Sequence, residues 1–180
     1  MNKCVFLDRD GVLNVDNPAY TYEVDKFQII EGVPEALKLF KDNGFLLIVV
    51  TNQSGIAKGI YTVEQMQACH EYMQKNCNSA IDWFYFSPYH RTVTNSLMTK
   101  PGTLMFEKAI AKYNIDINSS WMIGDRGRDI IPARTIGIKT VQIGDEVEAH
   151  ELADHKVENL LQAASLILNT KAFCSTLVSS

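Results

Sequence analysis

"VFLDRDGVLNVDN" spans residues 5–17, an apolar run that breaks off abruptly in acids. Three apolar residues, Val5 to Leu7, run directly into Asp8, Arg9, Asp10 and Gly11. Two carboxylates this close repel each other unless positive charge lies near them. A short apolar strand that ends on such a cluster resembles one strand of a parallel sheet, whose ligands gather beyond the carboxyl ends of the strands. The remaining sequence must then alternate strands with helices, and must supply further polar clusters at strand ends.

It does both. A strand over 3–8 is followed by a helix over 32–44, where Pro34 suits the first turn and Gly44 the left-handed stop. Ala36, Leu37 and Phe40 share one face of that helix. "FLLIVV" at 45–50 is apolar throughout, as a strand covered on both faces requires. Thr62 and Gln65 form a capping-box pattern at the head of a helix over 62–76, with Val63, Met66, Cys69 and Met73 on one stripe. Strands over 81–86, 120–124 and 138–143 alternate with helices over 103–113, 128–137 and 157–169. This order predicts an α/β fold: a three-layer α/β/α, Rossmann-like parallel sheet with a minimal cap. Residues 1–170 read as one domain and 171–180 as a tail without clear assignment. Polar clusters follow the strands: "DRDG" the first, "TNQSG" the second, "GDRGRD" the fourth. Residues 87–102, "SPYHRTVTNSLMTKPG", form a loop long enough to suggest function.

Composition narrows the function classes. The 180 residues are 46% hydrophobic with net charge −4. That balance argues against a general nucleic-acid binder, which needs clustered Lys and Arg. No run of 18 apolar residues is present, so no membrane span is expected. "CVFL" is too short for a signal-peptide core. The four cysteines, Cys4, Cys69, Cys77 and Cys174, are too sparse for a disulfide framework, and a reducing cytoplasm is the expected location. The chain is read as a monomer.

Asp8, Asp10, Asp125 and Asp129 offer hard oxygen donors at strand ends, a set suited to Mg2+. Thr51 brings a hydroxyl, the following Asn52, Gln53 and Ser54 bring anion donors, and Lys100 a point charge for phosphate. These are the parts of phosphoryl transfer to a carboxylate.

"DRDGVLN", "TNQSGIAKG", "KPG" and "GDRGRD" resemble, in order, the four motifs of the haloacid dehalogenase superfamily of phosphatases. The fuller strings are similar to the branch holding D,D-heptose 1,7-bisphosphate phosphatases and histidinol-phosphate phosphatases. The resemblance implies a Mg2+-dependent phosphatase acting on a small phosphorylated metabolite, with a sugar bisphosphate first and histidinol phosphate second. It implies Asp8 as nucleophile and Asp10 as general acid/base, with Thr51 and Lys100 steadying the phosphoryl group. Mg2+ is assigned to Asp8, the main-chain carbonyl of Asp10, and Asp125, with Asp129 behind them. Asp16, Asn52, Gln53 and Ser54 are the implied substrate contacts. Relatives commonly fold the long loop around a structural zinc and place Arg before the motif lysine. Here Ser87, Tyr89, Ser96 and Met98 stand where ligands are expected, Thr99 replaces the Arg, and His90 alone does not make a zinc site. Structural zinc is therefore not expected, and Arg91 is the candidate replacement for the missing cation.

Other readings compete. A receiver-type phosphoacceptor module also combines Asp, Thr and Lys on a parallel sheet, but it has no use for a hydrolytic acid such as Asp10. Asp125 and Asp129 could be ordinary acids at a helix N-terminus. His70, His150 and His155 read as solvated, Cys69 as a small buried residue, and Met66, Met73 and Met105 as core.

Overall fold

The computed structural model describes residues 1–147 and 152–176. Its strands are β1 (Cys4–Leu7), β2 (Leu46–Asn52), β3 (Trp83–Ser87), β4 (Trp121–Gly124), β5 (Lys139–Ile143) and β6 (His155–Val157). The helices between and after them are α1 (Val33–Asp42), α2 (Val63–Asn76), α3 (Leu104–Tyr113), α4 (Gly127–Thr135) and α5 (Leu160–Thr176). The strands form one parallel sheet in the order β3-β2-β1-β4-β5-β6. β1 is therefore central, with β2 and β4 hydrogen-bonded on either side.

The apolar runs dictate this burial. Successive side chains of a strand point to opposite faces. Val5, Leu7, Leu47, Val49, Trp121 and Ile123 accordingly join one core, with Ala36, Leu37 and Phe40 of α1 and Ala163, Ala164 and Ile167 of α5. Cys4, Phe6, Ile48, Val50 and Met122 join the other, with Met105, Phe106 and Ala109 of α3 and Ala133 of α4. Both faces are covered, so uninterrupted apolar strands are the stable solution. The predicted helix ends hold. Gly44 adopts φ +71, and Thr62 and Gln65 cap α2 reciprocally.

Two expectations differ. β6 was not expected, because the three residues His155, Lys156 and Val157 carry no strand pattern; it displaces the start of the last helix from 157 to Leu160. That helix continues into the expected tail, to Thr176, and residues 177–180 lie outside the described residues. His70 is not solvated: it is 7% exposed and stacks on Phe84 at 4.3 Å between ring centroids, because α2 packs that flank against β3. Burial pushes its imidazole down to about 3. His155 is exposed as expected, and His150 lies outside the described residues. Cys69, Met66, Met73 and Met105 are core.

Candidate active site

The carboxyl ends of β1, β2 and β4 are adjacent in the sheet, so the residues that follow them meet. The Asp8 amide donates to the Ile123 carbonyl at 3.0 Å, which carries the β1–β4 ladder one residue past the strand. Gly11 turns the chain with φ +85. A Cβ there would lie 2.5 Å from Asp125 Oδ2, so only glycine lets this turn approach the end of β4. Gly124 has the same function beneath Asp129, whose Cβ would be 2.3 Å from an added Cβ. Asp129 lies in the first turn of α4, where its Oδ2 accepts the Arg126 amide at 3.1 Å. The helix-terminus reading of Asp129 is thus correct for one of its oxygens.

The other oxygen has different work. Lys100 Nζ, fully buried, is 2.5 Å from Asp129 Oδ1 and 2.9 Å from Asp8 Oδ1, and it donates to the Val50 carbonyl at 2.7 Å. Burial alone would lower the Lys100 pKa, but the charges of Asp129 and Asp8 outweigh it and hold the ammonium above its usual value. One carboxylate oxygen each from Asp8, Asp125 and Asp129 lies within 4.8 Å of the others. Burial raises Asp8 to about 6, with the Asp129 charge adding to it. Burial and the Asp8 charge raise Asp125 to about 8. Asp125 Oδ1 is buried without a hydrogen-bond partner among the described residues. Three acids that destabilise one another's charge, with an unpartnered oxygen among them, fit a hard divalent cation such as Mg2+.

Asp10 is oriented differently from its neighbour. Its Oδ1 accepts from Arg9 Nη2 at 2.9 Å, Arg9 Nε at 3.2 Å and Asn14 Nδ2 at 2.9 Å, and its Oδ2 from Gln53 Nε2 at 3.0 Å. Burial would raise its pKa, but the Arg9 charge and these hydrogen bonds outweigh it and hold the carboxyl below its usual range. The positive partner that the DRD stretch demands is thus partly its own Arg9, 1% exposed, which also donates to the Thr21 carbonyl. The guanidinium between the two acids in the sequence is the signal for it.

Above these groups opens a cavity of about 910 Å³. Asp10, Asp16, Asn52, Gln53, Ser54, Arg91 and Lys100 all line it. Asp16 pairs with Arg126 Nη2 at 2.7 Å. Asn52 Oδ1 accepts the Lys100 amide at 2.9 Å and its Nδ2 donates to the Lys100 carbonyl at 3.0 Å, which fixes the end of the long loop. A Ser87–Thr99 hydroxyl contact of 2.7 Å closes the loop's base, and turns at His90 and Ser96 order its interior. Arg91 is exposed on that loop. Arg126 and Arg128, not singled out from the sequence, also line the cavity, and Arg128 Nε is buried without a partner among the described residues. Thr51 is 1% exposed beneath Gln53, which donates to its hydroxyl oxygen at 3.0 Å.

Comparison with known proteins agrees with this geometry. A family model described as "HAD-hyrolase-like" matches residues 97–166. The D-glycero-beta-D-manno-heptose-1,7-bisphosphate 7-phosphatase of Haemophilus ducreyi is 42% identical over 147 residues, covering 77% of this chain and 80% of the relative. The protein of the same name from Pasteurella multocida is 35% identical over 187 residues, covering 96% of this chain and all of the relative. The crystal structure of D,D-heptose 1,7-bisphosphate phosphatase from B. bronchiseptica, complexed with magnesium and phosphate, shares the fold with a TM-score of 0.85. It is 22% identical and covers 93% of this chain and 99% of that one. A central β1 ending in DRDG, a buried lysine between two acids, and relatives aligned over most of their length converge on one assignment: the chain belongs to the haloacid dehalogenase-like hydrolases, in the family of the heptose bisphosphate phosphatases.

Proposed function

We propose that the chain hydrolyses the 7-phosphate of D-glycero-beta-D-manno-heptose 1,7-bisphosphate, with Asp8 as the nucleophile. The substrate follows the relatives' names, and the observation that supports Asp8 as nucleophile is the Lys100 ammonium held between Asp8 and Asp129 under the cavity. It keeps positive charge beside the attacking carboxylate and orients the oxygen that must meet phosphorus. Asp8 attacks and forms an aspartyl phosphate as the sugar oxygen leaves. Asp10 gives that oxygen a proton, then takes one from the water that breaks the acyl phosphate. To do so it must leave part of the Arg9 and Gln53 network, whose donors favour its ionised form. Thr51 and Lys100 steady the phosphoryl group.

Asp8, Asp125 and the Asp10 carbonyl would hold Mg2+, with the Asp129 carboxylate adjoining them. When bound, the cation supplies positive charge against the phosphoryl oxygens. Asp16, Asn52, Gln53, Ser54 and Arg91 are the proposed substrate contacts. The reading takes residues 1–170 as one catalytic domain with a tail at 171–180, working as a monomer in the cytoplasm without structural zinc. Among the described residues, no helix is long and apolar enough to cross a membrane.

The test compares kcat/KM for heptose 1,7-bisphosphate, histidinol phosphate and simple sugar monophosphates with Mg2+ present. The heptose bisphosphate is expected to give the highest value. A higher value for histidinol phosphate would refute the substrate, and no phosphate release from any ester would refute the activity.

A further inference from the structure

The mechanism leaves one buried polar group beside the acid/base residue unused. Tyr61 is 5% exposed, and its hydroxyl donates to Gln53 Oε1 at 2.7 Å. The same Gln53 amide donates through Nε2 to Asp10 Oδ2 and to Thr51 Oγ1, each at 3.0 Å. A side-chain amide has a donor end and an acceptor end, and the two look alike in shape. Flipped, Gln53 would turn its oxygen on the Asp10 carboxylate and would accept the Thr51 proton. The structure holds the opposite sense.

We infer that Tyr61 is a positioning residue for the reaction, fixing through Gln53 the donor sense of both Asp10's and Thr51's hydrogen bonds. A phenol retains its proton here, since burial pushes Tyr61 up from its usual value. It can therefore donate, and the atom the structure sets against it is the amide oxygen. The amide nitrogen then faces Asp10 and Thr51. Because Thr51 Oγ1 accepts from Gln53, its own O–H is left to be given to a phosphoryl oxygen. Because Asp10 Oδ2 accepts from Gln53, the carboxylate is held at the mouth of the site between the Gln53 amide and Arg9.

The phenol ring is locked in the orientation that this requires. It lies parallel to Tyr22, with centroids 5.1 Å apart and planes 11° from parallel, and Tyr20 packs on it at 5.8 Å. It also presses on the Gly55 backbone: a Cβ at Gly55 would be 2.2 Å from Tyr61 Cε1. Two aromatic neighbours and a glycine fix a ring whose hydroxyl also meets the Gly55 backbone and gives its proton to the Gln53 amide oxygen. Packing alone explains the ring; it does not explain the hydroxyl.

This inference rests on the phosphatase reading, and the experiment separates the two. Turnover of p-nitrophenyl phosphate with Mg2+ is measured for the wild type, Tyr61→Phe, Gln53→Met and the double variant. Tyr61→Phe keeps the stacked ring and removes only the oxygen. Its kcat is expected to fall about tenfold, with KM within about twofold, as one buried amide oxygen loses its donor. In the Gln53→Met background, where no amide remains to orient, Tyr61→Phe is expected to change kcat less than about twofold. A Tyr61 that merely supported the fold would lower activity equally in both backgrounds. Reductions that multiply independently, or a Tyr61→Phe enzyme with unchanged kcat, overturn the inference. An inactive wild type overturns the phosphatase reading instead.

Discussion

Replacing Lys100 by Met tests how the acids are held together. The variant retains the apolar stem and removes a charge that touches both Asp8 and Asp129, at 2.9 and 2.5 Å. Those carboxylates are 3% and 0% exposed, so water cannot replace the ammonium. Removing one member of a buried ion pair costs about 3–5 kcal/mol, chiefly from the uncompensated charge that remains. For a chain of 180 residues the unfolding entropy is about 0.4 kcal/mol per kelvin. Thermal unfolding in EDTA should therefore shift down by about 8–13 °C. A divalent cation brings charge back to the same carboxylates, so millimolar Mg2+ should narrow the gap between variant and wild type. The assay is circular dichroism melting of both proteins, with EDTA and with Mg2+. An unchanged Tm in EDTA would show that Lys100 does not balance these acids. A gap equally wide in Mg2+ would show that no cation joins them.

Two further tests address separate links. Gly11→Ala forces a Cβ to 2.5 Å from Asp125 Oδ2 at φ +85, so Mg2+ affinity by calorimetry should weaken on the order of tenfold or more, and unchanged affinity would contradict the proposed ligand set. His70 is held neutral down to about 3 in the fold, against 6.5 when free. The folded state thus binds fewer protons than the unfolded chain across that window. Its contribution to stability is complete above pH 6.5 and is lost as pH falls, by about 2 kcal/mol near pH 5. Urea unfolding of His70→Gln at pH 8 and pH 5 should show an acid loss smaller by about that amount. An identical loss in both proteins would contradict the buried neutral imidazole.

Much of this was readable in the sequence because parallel sheets announce themselves. β2, buried on both faces, has to be apolar at consecutive positions, and "FLLIVV" can hardly be anything else in this alternation. The acids were legible because Asp8 and Asp125 follow apolar strands. β6 was not legible: a three-residue edge strand, His155–Val157, gains its place from pairing with β5 and has no pattern of its own. Nor was the environment of Asp10. Arg9 and Asn14 fold onto it from its own turn at Gly11, and Gln53 reaches it from the end of β2, 43 residues on, through the β1–β2 pairing. His70 was misjudged although it shares a stripe with Met66 and Met73, because nothing in the sequence shows that Phe84 will stack on its imidazole.

In the proposed reaction, acids gathered at two strand tips let Asp8 accept a phosphoryl group. The most direct measurement uses Asp10→Asn with p-nitrophenyl phosphate, whose leaving group departs without a proton from Asp10. In Mg2+, the account predicts a burst of nitrophenolate stoichiometric with the chain, and a phosphoryl group on Asp8 when acid-quenched peptides are examined by mass spectrometry; EDTA should abolish both. A phosphoryl group on another residue, or full turnover by Asp8→Asn, would contradict it.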